Sequence, residues 1–454
     1  MKHALHKILP ILVTVMSLSA CGKVDPSGIN NGGSSNTVNY PSVRRLTTAD
    51  DAPRRSHLFD DDAYVTFKGK MKDFAFKMSE YFINSQYKND KNFAFSPYSI
   101  ELCLGLAIRC TNGQTRQEML DALGVDYATF NKYYPYFYSD SSFIHKNEID
   151  NVVADQSSPT NSIWLDDGLV TNADTLKELQ DNYYCDAFQV DFNKNNKAAN
   201  EAIGKFANEK TNGLISPNFT FDPQTLFVLM NTIYLKGIWD EKGDELKEAP
   251  EEYKFKYSGG ITSNKRLMMG HYQSGRTIIQ DDYSAFFTTT CGSFNITFIK
   301  PNEGKSVKDV FTKENIAYVT GKNYIYKDDE KLERYYTNCY FPAFEAEAKD
   351  LDLKKPFIQK YDVKSLFNSE TCDFSALTSS RAFVSEFKQD AILKVDKTGI
   401  EGAAVTYMVA PGSAGPVEDP YTDVYETFIV DREFGFVVRS NDNIVFSGVV
   451  TNID

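Results

Sequence analysis

Residues 231–239 read NTIYLKGIW and continue an apolar run, TLFVLM, that begins at residue 225. Such a run of branched and other apolar residues is typical of a strand inside a sheet. Helix-like patterns lie mainly before it and strand-like runs mainly after it, so the sequence predicts an α+β fold rather than alternating βαβ units. The predicted helices are residues 70–87, 114–124 and 199–213, and the further strands are residues 294–301, 335–344, 390–395, 434–439 and 444–450.

Several of these elements carry end signals. Thr115 is the expected N-cap of the 114–124 helix, and Gly124 is expected to end it. Gly213 is expected to end the 199–213 helix in the same way. Ser96 followed by Pro97 predicts a further helix, with Ser96 as its cap and Pro97 at its first position.

The charge and motif content of the 454 residues argues against several function classes. There are 49 Lys and Arg against 62 Asp and Glu, a net charge of −13. This balance argues against binding of nucleic acid or of anionic membrane surfaces. The sequence has no HExxH, GxSxG, GxGxxG or GxxxxGK[ST] pattern, which makes an enzyme less expected without excluding one. We expect no metal, no cofactor and no enzyme.

The N-terminus predicts export. Lys2 and Lys7 flank the start of an apolar segment, residues 8–18, that is too short for a permanent membrane span. The residues up to Cys21 resemble a bacterial lipobox, so residues 1–20 are expected to be a signal peptide that is removed, leaving Cys21 lipidated. The alternative is a simple secretory signal that happens to precede a cysteine.

The next segment predicts a tether. Residues 21–62 are rich in Gly, Ser, Asn, Asp and Pro, a composition that does not fold by itself. Residues 63–454 form the single predicted domain. The domain would be held outside the cytoplasm of a bacterium by its lipid alone, at the periplasmic face or the cell surface. Six cysteines follow Cys21, and an exported location permits either disulfides or free thiols.

Several separated stretches resemble the serpins, a family of serine protease inhibitors. Residues 231–239 match that family's N-x-[IV]-Y-F-K-G-x-W strand closely, and residues 208–215, NEKTNGLI, are very similar to its EKTNGxI helix end. The two motifs together are specific, and the resemblance covers roughly residues 63–454. Further matches in the same order are residues 95–100 (FSPYSI), 161–164 (NSIW), 341–344 (FPAF) and 428–450.

This resemblance implies a serpin fold, with three β-sheets, eight or nine helices and an exposed reactive loop at about residues 399–427. It also implies a suicide mechanism, in which a target protease cleaves the loop and becomes covalently attached to it. The cleaved loop then inserts into the main sheet as a new strand, and the attached protease is distorted. The implied partner is a serine or cysteine protease, and the inhibitor is expected to be a monomer.

Residues 399–410, GIEGAAVTYMVA, meet the physical demands of insertion. A strand with one buried face needs small or apolar side chains at every second position, because a buried charge is costly. With the hinge at Gly399, which supplies backbone freedom, the only charge, Glu401, falls on the outward face. A permanently buried strand is the alternative, but the glycines, the alanines and the following PGSAGP disfavour it. The hinge and insertion residues are Gly399, Ile400, Glu401, Gly402, Ala403, Ala404, Val405 and Thr406, of which Ile400, Gly402, Ala404 and Thr406 face inward.

The resemblance also assigns residues that support the sheet. It places Ser96, Ser99 and Asn231 in a polar cluster beneath the main sheet, the shutter, where Gln389 replaces the family's usual His. Glutamine donates and accepts hydrogen bonds, so the cluster can be satisfied without the pH dependence of a histidine. Trp239 corresponds to the family's breach position.

The family's usual distance from the hinge places the scissile bond at Ser413–Ala414. The surrounding residues, 409–415, are all small or apolar, which suits a protease with a narrow primary pocket, such as an elastase-like or subtilisin-like enzyme. Residues 398–431 contain no Lys or Arg, which argues against trypsin-like targets. Cleavage at Tyr407–Met408 would suit a chymotrypsin-like enzyme but would leave a short inserting strand.

Two other function classes remain open. Ile400 stands where inhibitory serpins usually have Thr or Ser, and its bulk is expected to slow insertion. A non-inhibitory serpin that binds a small ligand or a surface partner at the cell envelope is therefore the alternative. The other class, an enzyme or a nutrient-capture lipoprotein on an unrelated fold, would require the ordered motif matches to be accidental.

Overall fold

The structure, a computed structural model, describes most of the chain. The described residues are 13–20, 43–49, 58, 61–146, 153–239, 246–257, 260–291, 293–400 and 420–454, with only the backbone described for residues 13–20. These ranges contain nine α-helices and one short 3-10 helix, Ser365–Phe367. The α-helices are α1 (Asp62–Gln86), α2 (Pro97–Cys110), α3 (Gly113–Leu123), α4 (Tyr127–Asp140), α5 (Ala173–Tyr183), α6 (Asn196–Lys210), α7 (Val307–Val310), α8 (Lys313–Thr320) and α9 (Lys354–Gln359).

The same ranges contain twenty strands, which are most frequent in the second half of the chain. They are β1 (Val13–Ala20), β2 (Arg44–Thr47), β3 (Phe93–Phe95), β4 (Phe143–Lys146), β5 (Val153–Asp166), β6 (Cys185–Val190), β7 (Thr225–Ile238), β8 (Lys247–Glu248), β9 (Met268–Tyr272), β10 (Thr277–Ile279), β11 (Tyr283–Thr289), β12 (Phe294–Pro301), β13 (Lys327–Asp328), β14 (Glu333–Phe341), β15 (Phe344–Asp352), β16 (Ala382–Val395), β17 (Gly399–Ile400), β18 (Thr422–Ile429), β19 (Phe434–Ser440) and β20 (Asn443–Val450).

These strands form three sheets, so the predicted mixed α+β architecture is confirmed. The main sheet has nine strands and runs from β15 and β16, across β1 and β17, to β7, β5, β6 and β2, with β4 beside β5. A six-stranded sheet has the order β10-β11-β12-β19-β20-β3. A five-stranded sheet has the order β13-β14-β9-β8, with β18 parallel to β14.

Strand β7 contains residues 231–238 of the NTIYLKGIW stretch and lies at the centre of the main sheet. It pairs antiparallel with β5 over eleven residue positions, from Phe227 to Gly237. Helices α2 and α6 pack against it, and most of its residues are buried. Burial on both faces explains why the sequence is an almost continuous apolar run rather than an alternating one.

Aromatic rings connect the three sheets. Phe298 of the six-stranded sheet lies 5.2 Å, centroid to centroid, from Phe341 of the five-stranded sheet. It also lies 5.5 Å from Phe434, which packs at 5.5 Å against Phe344 of the main sheet. The many aromatic side chains of this protein thus pack into one continuous core.

Two helix ends agree with those predicted from the sequence, and two others differ from them. The Ser96 hydroxyl accepts the Ser99 N–H at 3.1 Å, with Pro97 first in α2. Gly124 ends α3 in a left-handed conformation, with φ of 71°. Thr115 is not the N-cap; Asn112 is, and Thr115 instead accepts the Asp373 N–H within the fold. Helix α1 begins at residue 62 rather than 70, because the Asp61 carboxylate caps it.

Two strands differ from their predicted bounds. The run predicted as one strand, residues 335–344, is split between β14 and β15 at Pro342, since proline has no N–H to donate to the ladder. Strand β16 begins at Ala382, eight residues before the predicted start. Its first half carries Glu386 and Lys388 between buried residues, and these charges interrupted the apolar pattern that the sequence analysis relied on.

The segment predicted as a flexible tether, residues 21–62, contains a strand. β2 pairs with β6 at the edge of the main sheet. The Arg45 guanidinium lies 2.7 Å from the nearly buried Asp186 carboxylate and 5.3 Å from the centre of the Phe188 ring. Long-range pairing therefore orders a segment whose local composition predicts disorder.

The structure also bears on the cysteines and on membrane spans. Within the described ranges, none of the six cysteines after Cys21 is joined in a disulfide. Among the helices that the structure describes, none combines the length and the apolar character needed to cross a membrane.

We predict that the buried residues of the six-stranded sheet contribute much more to stability than its exposed residues. Ile299 in β12 is fully buried, whereas Ile279 in the same sheet is 71 % exposed. Ile299→Ala should lower the free energy of unfolding by about 2–5 kcal/mol, because it leaves a cavity, whereas Ile279→Ala should change it by less than about 0.5 kcal/mol. Urea unfolding followed by tryptophan fluorescence measures both, and equal losses would contradict this assignment of the core.

Helix α2 leads to a second prediction, on pH. Glu101 is 2 % exposed, its Oε1 has no hydrogen-bond partner among the described residues, and burial raises its pKa well above the ordinary 4.5. Above pH 4.5 the unfolded chain releases this proton while the folded chain keeps it, so stability should fall as pH rises, by up to about 1.4 kcal/mol per unit. Glu101→Gln should remove that slope between about pH 5 and pH 6.5 in urea unfolding.

The matched control is Glu251→Gln, at an exposed glutamate, which should leave the slope unchanged. A pH profile that is identical for wild type and Glu101→Gln would show that the buried carboxyl does not remain protonated.

Candidate functional site

The candidate site lies in the main sheet, between β7 and β16. These two strands, both described in full, do not pair with each other, and we call the space between them the central gap, whichever segment fills it. At one end of the gap, β17 pairs antiparallel with both neighbours. Ile400 lies opposite Val395 of β16 and Gly237 of β7 and is only 1 % exposed. The predicted hinge therefore already lies inside the sheet, and the bulk of Ile400 is accommodated there.

A tight turn reverses the chain between β16 and β17. The Asp396 N–H donates to the Gly399 carbonyl at 3.0 Å. The Asp396 carboxylate accepts the Thr398 N–H at 2.7 Å, the Thr398 hydroxyl at 2.6 Å and the Gly399 N–H at 3.3 Å. Aspartate stabilises turns in this way. Asp396 was not predicted from the sequence, although Asp three residues before Gly is a turn signal.

Gly399 is required by the close approach of two backbones. Its φ is 156°, and a Cβ atom at this position would lie 1.8 Å from the Gly237 carbonyl oxygen. No side chain fits while β17 is paired with β7. This is a more specific reason for glycine than the backbone freedom expected from the sequence.

Trp239 supports the same turn from β7. Its indole N–H donates to the Asp396 carbonyl at 2.7 Å, and its backbone N–H donates to the Thr398 carbonyl at 3.1 Å. The side chain is fully buried, and its ring packs edge-on against Phe341 at 5.5 Å. The residue predicted at the breach thus connects the end of the central gap to the five-stranded sheet.

The predicted shutter residues also come together, beneath the middle of the gap. Gln389 of β16 accepts the Ser96 N–H at 2.9 Å and donates to the Ser96 carbonyl at 3.0 Å. Both side chains are fully buried. The glutamine that replaces the expected histidine therefore binds β16 to the start of α2 through two hydrogen bonds.

A second set of hydrogen bonds runs from the same helix into β7. The Ser99 hydroxyl donates to Asn231 Oδ1 at 2.6 Å, and the Asn231 amide donates to Asn161 Oδ1 at 2.9 Å. Asn161 in turn donates to the Tyr134 hydroxyl at 2.9 Å and to the Tyr183 carbonyl at 2.7 Å. The sequence analysis missed Asn161 as part of this network, although its stretch, NSIW, was among the matching ones.

Most of the central gap is occupied by β1. This strand pairs antiparallel with β16 and with β7, and Thr14 lies opposite both Gln389 and Asn231. Residues 1–20 were expected to be a removable signal peptide, and their removal stays a prediction. In the full chain, however, residues 13–20 are part of the main sheet.

The remaining predicted residues are not covered by the structure. The proposed scissile bond and lipidation site lie outside the described residues, as does the rest of the insertion segment. These residues are Glu401, Gly402, Ala403, Ala404, Val405, Thr406, Ser413, Ala414 and Cys21.

Most of this chain is similar in sequence to known proteins. The family model described as "Serpin (serine protease inhibitor)" matches residues 69–453. Iripin-1 of Ixodes ricinus is 28 % identical over 377 residues, which cover 80 % of this chain and 90 % of the relative. Leukocyte elastase inhibitor of Sus scrofa is 25 % identical over 370 residues, which cover 79 % of this chain and 92 % of the relative.

Solved structures share the architecture. The crystal structure of human thyroxine-binding globulin in complex with its hormone superposes with a TM-score of 0.68 at 19 % identity. The match covers 86 % of this chain and 99 % of that one. At this identity the similarity concerns the fold alone.

We predict that a side chain at residue 399 separates β17 from β7. Gly399→Ala should break the bond between the Trp239 N–H and the Thr398 carbonyl, because the new methyl group collides with the Gly237 carbonyl. The Trp239 amide should then exchange its hydrogen at least about tenfold faster, as measured by mass spectrometry of peptic fragments.

The control is Gly69→Ala in α1, where a Cβ meets no atom within 4 Å. It should leave this exchange unchanged and stabilise the helix slightly. Unchanged protection in Gly399→Ala would mean that β17 is not held against β7 in solution.

Proposed function

The chain belongs to the serpin family, and from this premise we propose that it is a suicide-substrate inhibitor of proteases with narrow primary pockets. The observation that carries the proposal is the position of Gly399 and Ile400 between β7 and β16. A reactive loop that begins inside the central gap is directed into it after cleavage. Such a chain acts as a trap for a protease rather than as a catalyst.

The driving force is the pairing of a new strand on both sides. Backbone N–H and C=O groups of a strand in the centre of a sheet are all satisfied by its two neighbours. Residues 402–414 contain no charge, so their burial carries no desolvation penalty of an ionised side chain. Insertion is therefore favourable once cleavage frees the loop from its second attachment.

The buried polar network supports a sheet that can open and close. Gln389 from β16 and Asn231 from β7 both bind the first turn of α2, through Ser96 and Ser99. The two strands that border the gap are therefore anchored to one helix end rather than to each other. This arrangement lets the gap admit a strand without leaving buried polar groups unsatisfied.

The loop sequence suggests the target class. The proposed scissile bond, Ser413–Ala414, has small residues on both sides, which fit an elastase-like or subtilisin-like pocket. A relative at 25 % identity is named leukocyte elastase inhibitor. The partner is thus a serine protease, or a cysteine protease of similar specificity, held covalently by a monomeric inhibitor.

The N-terminus suggests the location. Lipidation of Cys21 after removal of residues 1–20 would hold the domain at a bacterial membrane, at the periplasmic face or the cell surface. The chain between Cys21 and the main sheet would then serve as a spacer.

A non-inhibitory binding serpin is the second candidate, and the filled gap favours it. While β1 occupies the gap, the loop has no place to insert. Thyroxine-binding globulin is a protein of this fold whose name states a small ligand. The two candidates differ in whether a cleaved loop ever replaces β1.

The test uses the chain without residues 1–20, the form expected after export, with an elastase-like protease. We expect a complex that survives a denaturing gel, and a released fragment that begins at Ala414. Ala404→Arg places a charge on the inward face of the inserting strand, so cleavage should persist while the complex falls at least about tenfold. Ala403→Arg, on the outward face, is the matched control and should keep the complex.

Cleavage of the wild-type chain without any stable complex would overturn inhibition for that target class. Equal complex formation by Ala404→Arg and Ala403→Arg would overturn the insertion mechanism.

A further inference from the structure

Strand β1 occupies the central gap in the direction and register expected of the reactive loop. It is antiparallel to both β16 and β7, as β17 is. Val13 lies opposite Asp390 of β16 and Thr232 of β7. The N-terminal segment and the start of the loop therefore lie in one line along the same space.

The registers of the two segments can be compared directly. Ile400 lies opposite Val395 and Gly237, and Val13 lies opposite the residues five positions further along each of those strands. Continued without a bulge, the loop would place residue 405 at the position that residue 13 holds. The two segments cannot occupy the gap at once.

The sequences agree at this register. Residues 13–16 read VTVM and residues 405–408 read VTYM, so three of the four are identical. Thr14 lies opposite Asn231 and Gln389, which is the position that Thr406 would take in the continued register. Neither β1 nor the corresponding loop segment carries a charge, as a strand in the middle of a covered sheet requires.

The connection to the rest of the chain is long enough. Residues 21–42 lead from β1 to β2, which lies beyond β7, β5 and β6 in the sheet. Four strand spacings amount to about 19 Å, whereas these residues reach about 70 Å when extended. Attachment within one chain gives β1 a high effective concentration at the gap.

We infer that residues 13–20 are a built-in competitor of the reactive loop, which keeps the full-length chain from trapping a protease. The inference rests on the proposed function, because it concerns the same gap. In a chain that retains its N-terminus, β1 holds the positions opposite Asp390 and Thr232 and beyond, so a cleaved loop cannot insert along its whole length. Removal of residues 1–20 empties the gap, so export and activation become one event.

The experiment compares full-length chains whose residues 1–20 are verified by intact mass. Val15→Pro disrupts β1, because proline lacks the N–H that a strand paired on both sides must donate. Val24→Pro, outside β1, is the matched control, and Met16→Pro is a second disrupting variant. Each chain is cut within residues 411–419 by a protease, and its melting temperature is measured before and after cleavage.

We expect no rise in melting temperature after cleavage of wild type and Val24→Pro, and a rise of roughly 10 °C or more in Val15→Pro and Met16→Pro. Hydrogen exchange should show residues 13–20 protected in the first pair and exposed in the second. A synthetic peptide of residues 13–20, added to Val15→Pro before cleavage, should suppress the rise.

The other outcomes separate the two proposals. A rise in all four chains would overturn the competitor role and leave the inhibitor proposal intact. No rise in any chain, with residues 13–20 exposed in the proline variants, would overturn loop insertion itself, and the competitor role with it.

Discussion

The backbone groups of β7 and β16 that face the central gap need partners, and this requirement governs the rest of the structure. Both strands are covered by helices or by other sheets, so water does not satisfy those groups. In the full chain, β17 pairs with them at one end, at Val395 and Gly237, and β1 pairs with them at the other end, as far as Asp390 and Thr232. Any strand in this place forms the same backbone hydrogen bonds with β7 and β16. Different segments of the chain can therefore compete for it.

The start of α2 binds both strands that border the central gap. The backbone of Ser96 binds Gln389 of β16, and the Ser99 hydroxyl binds Asn231 of β7. The Ser96 hydroxyl caps the helix. One helical turn therefore contains the helix cap, the groups that bind the two strands and part of the buried hydrogen-bond network. The two strands that border the central gap are thus held by the same turn, although their described residues do not pair with each other.

The family resemblance predicted the three sheets, because its motifs lie in covered strands and at helix ends where local chemistry decides the structure. Ser96 and Gly124 behaved as their types predict. Thr115 did not, since its hydroxyl is used by Asp373, a residue far along the chain that local pattern does not reveal. The early half of β16 and all of β2 were missed for the same reason: Lys388 and Arg45 lie in strands that are defined by pairing rather than by apolar content.

The site was predictable as a set of residues but not as an arrangement. The sequence identified Gln389, Asn231 and Trp239 through the resemblance alone, and their hydrogen bonds required the coordinates. Asp396 and Asn161 were missed because a turn and a network become visible only when distant strands are adjacent. A short apolar segment also suits a buried strand, so the place of β1 in the main sheet was not predictable from the N-terminal sequence. The removal of residues 1–20 as a signal peptide stays a prediction.

The burial of most of the six described cysteines has a chemical consequence. Burial raises the pKa of Cys110 and Cys372 to about 12 and that of Cys185 well above its ordinary value, so these thiols seldom form the thiolate that oxidants attack. Cys291 is the exposed one of the six, and its thiol lies 3.4 Å from the Trp239 carbonyl. A fluorescent label on Cys291 would therefore sit beside the end of the central gap and report each exchange of strands as a change in emission.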